Sequence, residues 1–198
     1  MTRKQFDEAF SCFQLSEIIS KSPSKRKTKQ LLETFSCTKN LDLQDFLHNK
    51  ALTFEQHLRS RTYLYFDNET KEIVAYYTVA ISVFFTDGMS KDIIKLLDGY
   101  KDDIKTIPCF LIGQLGKSDK YEEFKIGEYM LSDALEIIDK SHIDLGGRFI
   151  LIDSVNNQKV LSFYKENSFV ALEHDESLES IKMMKPYFED PESSLEEE

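Results

Sequence analysis

A glycine at the start of a helix and a phenol one element later are the groups best placed to do chemistry. Gly127 follows Ile126 and opens an amphipathic segment, and Lys117 and Lys125 lie in the charged loop before it. Free N–H groups and the helix dipole both attract anions at a helix N-terminus, so this turn predicts a phosphate-binding loop. Tyr164 lies on the next predicted helix and can donate a proton.

Two further polar residues flank the second strand of this region. Asp153 lies near the carboxyl end of an apolar strand, at the sheet edge where ligands gather, and is the best candidate carboxylate for a general base. An ordinary polar residue at a strand end is the alternative. Asn157 begins the following helix, where asparagine is a favoured N-cap. The four histidines have no matching partner pattern, which favours surface or structural roles.

A strand–helix–strand unit must position these residues. Apolar segments 109–115 and 149–155 predict buried strands, and 129–140 carries apolar residues on one broad helical face. Strand, helix and strand in this order predict a right-handed parallel crossover. Pro108 is expected to mark the entry into the first strand.

The remaining periodicities predict the rest of an α/β (mixed α+β) fold. Its central, twisted mixed sheet has antiparallel N-terminal strands, one parallel strand–helix–strand crossover and helices on both faces. Segments 62–66 and 73–85 are expected to pair as an antiparallel hairpin. Helices are expected at 28–35, 41–58 (with Asn40 or Asp42 as N-cap), 92–97 and 157–167, a short strand or helix start at 13–19, and a closing hairpin from 169–173 and 180–187.

Composition limits the class of protein. With 198 residues, 41% of them hydrophobic, residues 1–188 are expected to form a single domain. The apolar-poor, acidic segment 189–198 is expected to be a disordered tail. No apolar run is long enough to span a membrane, and three widely spaced cysteines favour a reduced, metal-free, cytoplasmic protein.

Charge disfavours a broad nucleic-acid surface, which normally needs a basic face, because the net charge is −10. The exception is segment 21–29, KSPSKRKTK, with five basic residues in nine. A solvated loop is one interpretation of this segment, and contact with phosphate or RNA is the other.

Segment 157–169, NQKVLSFYKENSF, resembles a motif of the GNAT superfamily, the CoA-dependent N-acetyltransferases. It is similar to N-x-x-A-x-x-[LF]-Y-x-[KE]-x-G-F, with Val160 in place of Ala and Ser168 in place of Gly. The stretches Phe35-Ser-Cys37, 41–47 and Arg61-Thr62-Tyr63 resemble the F-x-C…L-x-x-F-L…R-T-[FY] opening of one GNAT subgroup. Segment 75–80, AYYTVA, is similar to its G-Y-Y-x-L-A. That subgroup includes toxins that acetylate the amino group of charged tRNA.

The resemblance covers about 35–187 and implies a GNAT-like fold, acetyl-CoA as co-substrate and no metal. It implies that a backbone N–H near Leu115 and Gly116 binds the thioester oxygen and that Tyr164 protonates the CoA sulfur. Asn157 would bond the pantetheine or only cap its helix. The family's phosphate loop, [RQ]-x-x-G-x-[GA], aligns with 122–127, EEFKIG, where only the last glycine is kept. Candidates for the phosphates are therefore Lys117, Lys125, Ile126 and Gly127, with Lys120 as a further lysine.

The resemblance predicts an N-acetyltransferase acting on a primary amine. A lysine amine, with a pKa near 10.4, costs roughly 4–5 kcal/mol to deprotonate at pH 7, whereas an α-amine near 8 costs about 1.4 kcal/mol. Without a strong base, an amine of low pKa is the easier acceptor. The alternatives are a GNAT-fold binding module that holds CoA poorly and a toxin acting on charged tRNA. A homodimer is possible.

Overall fold

The computed structural model describes residues 1–172 and 177–188 and contains a mixed α/β sheet. The strands are β1 (Phe10–Gln14), β2 (Arg61–Asp67), β3 (Ile73–Phe85), β4 (Thr106–Lys117), β5 (Phe149–Val155), β6 (Val170–Ala171) and β7 (Ser180–Pro186). They are ordered β1-β2-β3-β4-β5-β7-β6. The predicted tail at 189–198 and His174 lie outside the described residues.

The chain divides into two compact units. The first comprises Met1–Ala80 and Ile112–Lys140, and the second comprises Ile81–Leu111 and Ser141–Glu198. Strands β3 and β4 each have one part in the first unit and the other part in the second. The single domain expected over 1–188 stays a prediction.

The first unit begins with a helix that the sequence patterns did not reveal. Helix α1 (Arg3–Ala9) is capped by Thr2 in a capping box with Gln5, and Phe6 is its buried residue. Strand β1 and helix α2 (Leu15–Lys21) then divide the segment that was expected to be a strand or a helix start. Helix α3 (Lys25–Leu32) begins and ends about three residues before the predicted helix at 28–35.

The helix predicted at 41–58 forms with an interruption. It consists of α4 (Leu41–Asp45), a π-helical turn at Phe46–Lys50 and α5 (Ala51–Gln56). Asn40 is its N-cap, as predicted, because its side-chain oxygen accepts the backbone N–H groups of Asp42 and Leu43. A π turn inserts one residue into the helical repeat, a feature that apolar spacing does not reveal.

The predicted antiparallel hairpin is confirmed in the first unit. Strand β2 pairs with β3 from Arg61 opposite Val79 to Phe66 opposite Ile73, with a shift in register after Tyr65. Strand β1 pairs with the other edge of β2. Leu32, Phe35, Leu47, Leu64 and Tyr76 belong to one buried apolar cluster of this unit.

Helix α7 (Gly127–Leu145) connects β4 to β5, two neighbours in the sheet, as the predicted crossover requires. Strand β4 begins at Thr106, so the expectation that Pro108 marks the strand entry was wrong. Pro108 is the third residue of β4, near the start of the strand, where a missing N–H is tolerated more easily than in the middle. Gly146 and Gly147 have the expected positive φ, +73° and +139°.

The second unit contains α6 (Lys91–Asp98), α8 (Gln158–Glu166) and the closing hairpin. Strand β7 pairs antiparallel with β5 and with the short β6. Phe84, Leu97, Ile107, Phe149 and Leu151 belong to its buried cluster.

Within residues 1–172 and 177–188, no helix combines the length and apolar character needed to cross a membrane. The same part of the chain contains no group of three His, Cys, Asp or Glu residues arranged to hold a metal ion.

Candidate functional site

The end of β4 packs closely against its neighbours in the first unit. A Cβ on Gly116 would lie 3.2 Å from both Leu43 Cδ1 and Tyr76 Cε1, so the absence of a side chain permits this approach. The Tyr76 hydroxyl donates to the Leu43 carbonyl oxygen at 2.6 Å, which fixes the start of α4 beside the strand. Leu115 is half-buried.

The loop between β4 and α7 is held by residues from distant parts of the first unit. The Asp119 carboxylate accepts hydrogen bonds from Ser36 Oγ (2.9 Å) and Thr38 N–H (2.8 Å). The Thr38 bond is the main reason that the pKa of Asp119 is lowered from its ordinary value. The Tyr121 hydroxyl donates to the Asp67 carboxylate at 3.1 Å. Contacts with residues of other elements therefore hold this loop in place.

Most charges of this loop are already engaged. Lys117 Nζ donates to the carbonyl oxygens of Glu122 (2.8 Å) and Phe124 (2.6 Å). Lys120 pairs with Glu72 at 2.6 Å, and Glu122 pairs with Lys39 at 2.7 Å. Lys117 and Lys120 thus stabilise the loop itself, and their expected contacts with phosphate stay predictions.

Lys125 has a different environment. It is exposed, and no ion pair joins it to any residue within 1–172 and 177–188. The pairing of Glu122 with Lys39 also reduces the repulsion that an acidic loop would exert on an anion.

The loop ends at the N-terminus of α7. Ile126 is fully buried, and its carbonyl oxygen accepts the N–H of Met130 at 3.1 Å. Gly127 is the first helical residue, and its φ is not in the left-handed region. The N–H groups before Met130 have no partner in the helical ladder, and the helix dipole makes this end attractive to anions.

In the second unit, Asp153 is exposed on β5, opposite Lys182 in the register with β7. Asn157 is the N-cap of α8, and its Oδ1 accepts the N–H of Lys159 at 3.0 Å. The capping role is therefore confirmed, and the ligand role stays a prediction.

Tyr164 lies on α8, the helix that Asn157 caps. The residue is 7% exposed, and its ring contacts Phe163 and Phe169 edge-on at centroid distances of 5.2 Å and 5.7 Å. Burial raises the pKa of its phenol to about 12. Among the described residues, none exchanges a hydrogen bond with the hydroxyl, so this group can serve a ligand.

The described histidines have structural surroundings. His48 Nε2 lies 2.8 Å from the carbonyl oxygen of Phe35, and His142 stacks on Tyr187 with ring centroids 3.8 Å apart. His57 terminates α5. These contacts agree with the interpretation that the histidines are not the base.

A cleft of about 580 Å³ in the first unit was not predicted. We call it the basic cleft, because Lys21, Lys27 and Lys71 line it around Phe13 and Phe66. Ile18 and Leu31 add apolar surface, and Glu17 and Asp67 add two carboxylates. The basic segment 21–29 was the one signal in the sequence, but only folding brings it beside β1 and β2.

Comparisons with known proteins identify the fold. No protein-family model matches the chain, and no curated protein does. Among solved structures, AtaT complexed with acetyl-methionyl-tRNAfMet is 19% identical, with 94% of this chain and 97% of that chain covered and a TM-score of 0.65. A tyrosine-to-phenylalanine mutant of KacT is 17% identical, with coverages of 89% and 95% and a TM-score of 0.66.

A third structure, AtaTR bound with AcCoA, is 16% identical, with coverages of 90% and 94% and a TM-score of 0.63. At these identities the likeness establishes the fold. The predicted GNAT-like α/β architecture is confirmed.

Proposed function

We propose that this protein is an N-acetyltransferase that moves the acetyl group of acetyl-CoA to a primary amine. The observation that carries the proposal is Tyr164, a buried phenol whose hydroxyl has no partner among the described residues. It occurs in the segment that resembles the family motif. We place the protein in the cytoplasm, because free thiols are typical of a reducing compartment. The resemblance to the family implies a reaction without a metal.

The proposed reaction needs one acid. A neutral amine attacks the thioester carbonyl carbon, the resulting oxyanion collapses, and the carbon–sulfur bond breaks as the amide forms. The Tyr164 hydroxyl gives its proton to the departing sulfur. With the phenol pKa at about 12 and a thiol near 8.5, transfer to a fully formed thiolate is uphill by about 5 kcal/mol. A desolvated thiolate also has a raised pKa, which reduces this difference.

Binding of acetyl-CoA is assigned to the β4–α7 segment. The N–H groups at Ile126 and Gly127, with the dipole of α7, would receive the pyrophosphate, and the exposed Lys125 would add a positive charge. Lys117 would act indirectly by fixing the loop. Backbone N–H groups near Leu115 and Gly116 would hold the thioester oxygen as charge develops on it.

An acceptor amine of low pKa needs little help from a base, because a larger fraction of it is already neutral at pH 7. Asp153 is the proposed base, and its carboxylate is exposed on β5. Neutralising an α-amine with a pKa near 8 costs about 1.4 kcal/mol at pH 7, whereas a lysine amine near 10.4 costs roughly 4–5 kcal/mol, so an α-amine requires less of the base. An α-amine is therefore the preferred acceptor class.

Replacement of Tyr164 by phenylalanine tests the proposal. We expect Tyr164→Phe to lower kcat by about 10²- to 10⁴-fold, the usual contribution of a general acid. The thermal shift with acetyl-CoA should persist, since a ligand at 100 times its Kd adds about 2.7 kcal/mol of stability. Tyr100→Phe, at a residue that is 82% exposed, is the matched control.

The result also separates the competing interpretations. Full activity of Tyr164→Phe would refute the assigned acid. A thermal shift without turnover of any amine would favour a CoA-binding module, and the absence of both would exclude acetyl-CoA as the co-substrate.

A second candidate function is acetylation of the α-amine of an aminoacyl-tRNA. It is favoured by the basic cleft, where lysines surround two aromatic rings within an otherwise acidic chain. Lysines can contact phosphates while aromatic side chains stack on bases. The AtaT structure with acetyl-methionyl-tRNAfMet has the same fold.

A further inference from the structure

The last part of β3 forms an unusual edge of the second unit. Strand β2 begins at Arg61, whose register partner is Val79, whereas β3 continues to Phe85. Within the described residues, no strand therefore runs beside 81–85 on the β2 side. The backbone N–H and C=O groups that point to this side are available for pairing with another chain.

The same residues expose a row of apolar side chains. Ile81, Val83 and Phe85 are 73%, 47% and 64% exposed, and they share one face because side chains alternate along a strand. Phe84 points to the other face, where it contacts Phe149 edge-on at 5.8 Å. The row is therefore anchored by the core of its own unit.

Charge gives no protection to this edge. The whole of Ile73–Phe85 contains no charged residue, although the chain carries a net charge of −10. Exposed edges are usually blocked by lysine, proline or a bulge. A neutral apolar edge is also the place where two copies of an acidic chain can approach with the least repulsion.

We propose that this edge pairs with the same edge of a second copy, antiparallel and symmetric about Val83. The segment is self-complementary in that arrangement. Val83 faces Val83 of the other copy, and Ile81 faces Phe85, so each cross-strand pair is apolar. A two-fold interface of this kind is isologous, since the same patch is used on both copies.

The dimer should be weak and reversible. A stable interface buries about 800 Å² on each partner, which a pairing over residues 81–85 alone does not reach. We therefore expect a monomer–dimer equilibrium that shifts with protein concentration, with no dependence on acetyl-CoA.

Cysteine cross-linking tests the symmetry directly. In a Cys12→Ser background, which removes the exposed native thiol, Val83→Cys should form a disulfide-linked dimer under mild oxidation. Ile81→Cys alone and Phe85→Cys alone should not, because each faces the other residue. A mixture of these two variants should cross-link. Equal cross-linking of all three single variants, or cross-linking of none, would overturn the proposal.

Sedimentation velocity supplies the second test. Val83→Lys places two positive charges at the symmetry axis and should abolish the concentration-dependent dimer. Ile143→Lys, at an apolar site in the same unit that is more exposed than Val83 (81% against 47%), should leave it unchanged. A wild-type protein that stays monomeric at high concentration, or a dimer that survives Val83→Lys, contradicts the assignment.

Discussion

Tyr164 has a pKa that favours retention of its proton. Burial raises the phenol pKa from an ordinary 10 to about 12. Its stabilising contribution in the neutral form is complete below the unfolded pKa and is lost as the pH rises through the folded pKa. As the proposed acid, it stays protonated over the whole range in which an amine becomes neutral.

The pH dependence of the reaction follows from this pKa. With an α-amine acceptor, we expect kcat/KM to rise with pH to a plateau above about pH 8, as the amine loses its proton. The plateau should extend to about pH 10, because Tyr164 remains protonated there. Initial rates over this range measure the profile. A falling limb centred near 10 that is absent in Tyr164→Phe would contradict the raised pKa.

Residues with local partners are the ones whose structural roles the sequence predicts best. Asn40 and Asn157 bond to backbone groups within three residues, so their capping roles follow from residue type and position. Lys117 bonds to two carbonyl oxygens of its own loop, a structural role that the sequence did not reveal, and its contact with phosphate stays a prediction. The conformation of that loop decides its role, and the sequence does not specify it locally.

At the scale of elements, the role of Asn157 as the N-cap of α8 can be tested separately from any contact that it makes with acetyl-CoA. Asn157→Ala should lower the free energy of unfolding by about 1 kcal/mol, because the Lys159 N–H loses its acceptor. Asn157→Asp should keep the cap and the stability. Urea denaturation measures both variants.

The same pair tests the predicted ligand role. If Asn157 bonds the pantetheine through its amide N–H, Asn157→Asp should raise the KM for acetyl-CoA while leaving the stability intact. An unchanged KM would restrict Asn157 to capping.

Strands were predicted more accurately than the N-terminal helices. The run at Ile73–Phe85 is rich in β-branched and aromatic residues, and the strand has the predicted limits. Helix α1 is short and buries only Phe6, so it has no apolar periodicity to detect. It is held by contacts with α7 instead: Arg3 pairs with Asp133 at 2.5 Å, and the Tyr129 hydroxyl donates to the Met1 carbonyl at 2.7 Å.

At the scale of the whole molecule, the charge is unevenly distributed. The net charge is −10, yet α3 and the basic cleft concentrate lysines in one part of the first unit. If an aminoacyl-tRNA is the acceptor, Lys27→Glu should lower kcat/KM for it at low salt by about tenfold or more, since each phosphate contact contributes to affinity. Activity on a small amine should be unchanged.

Lys101→Glu is the matched control, because Lys101 is exposed in the second unit, away from this cluster in the sequence. Acetylation rates of aminoacyl-tRNA at two salt concentrations provide the measurement. Equal losses in both variants would indicate a general charge effect and would remove the basic cleft from the second candidate function.

The order of the strands was only partly accessible from the sequence. The hairpin of β2 and β3 and the β4–α7–β5 crossover follow from short connections and from periodicity. The insertion of β7 between β5 and β6 does not, because it depends on pairing between residues far apart in the chain. The division into two units is likewise a property of long-range contacts.

The contacts that hold the loop before α7 predict which residues change together among related sequences. Its shape depends on the side chains of Ser36 and Asp67 as much as on its own residues, since these supply partners for Asp119 and Tyr121. Thr38 contributes only a backbone N–H to Asp119, so a mutation at Asp119 is most readily compensated at Ser36, 83 positions upstream. Covariation between these distant sites, rather than a contiguous motif, is the signature by which relatives of this chain could be recognised.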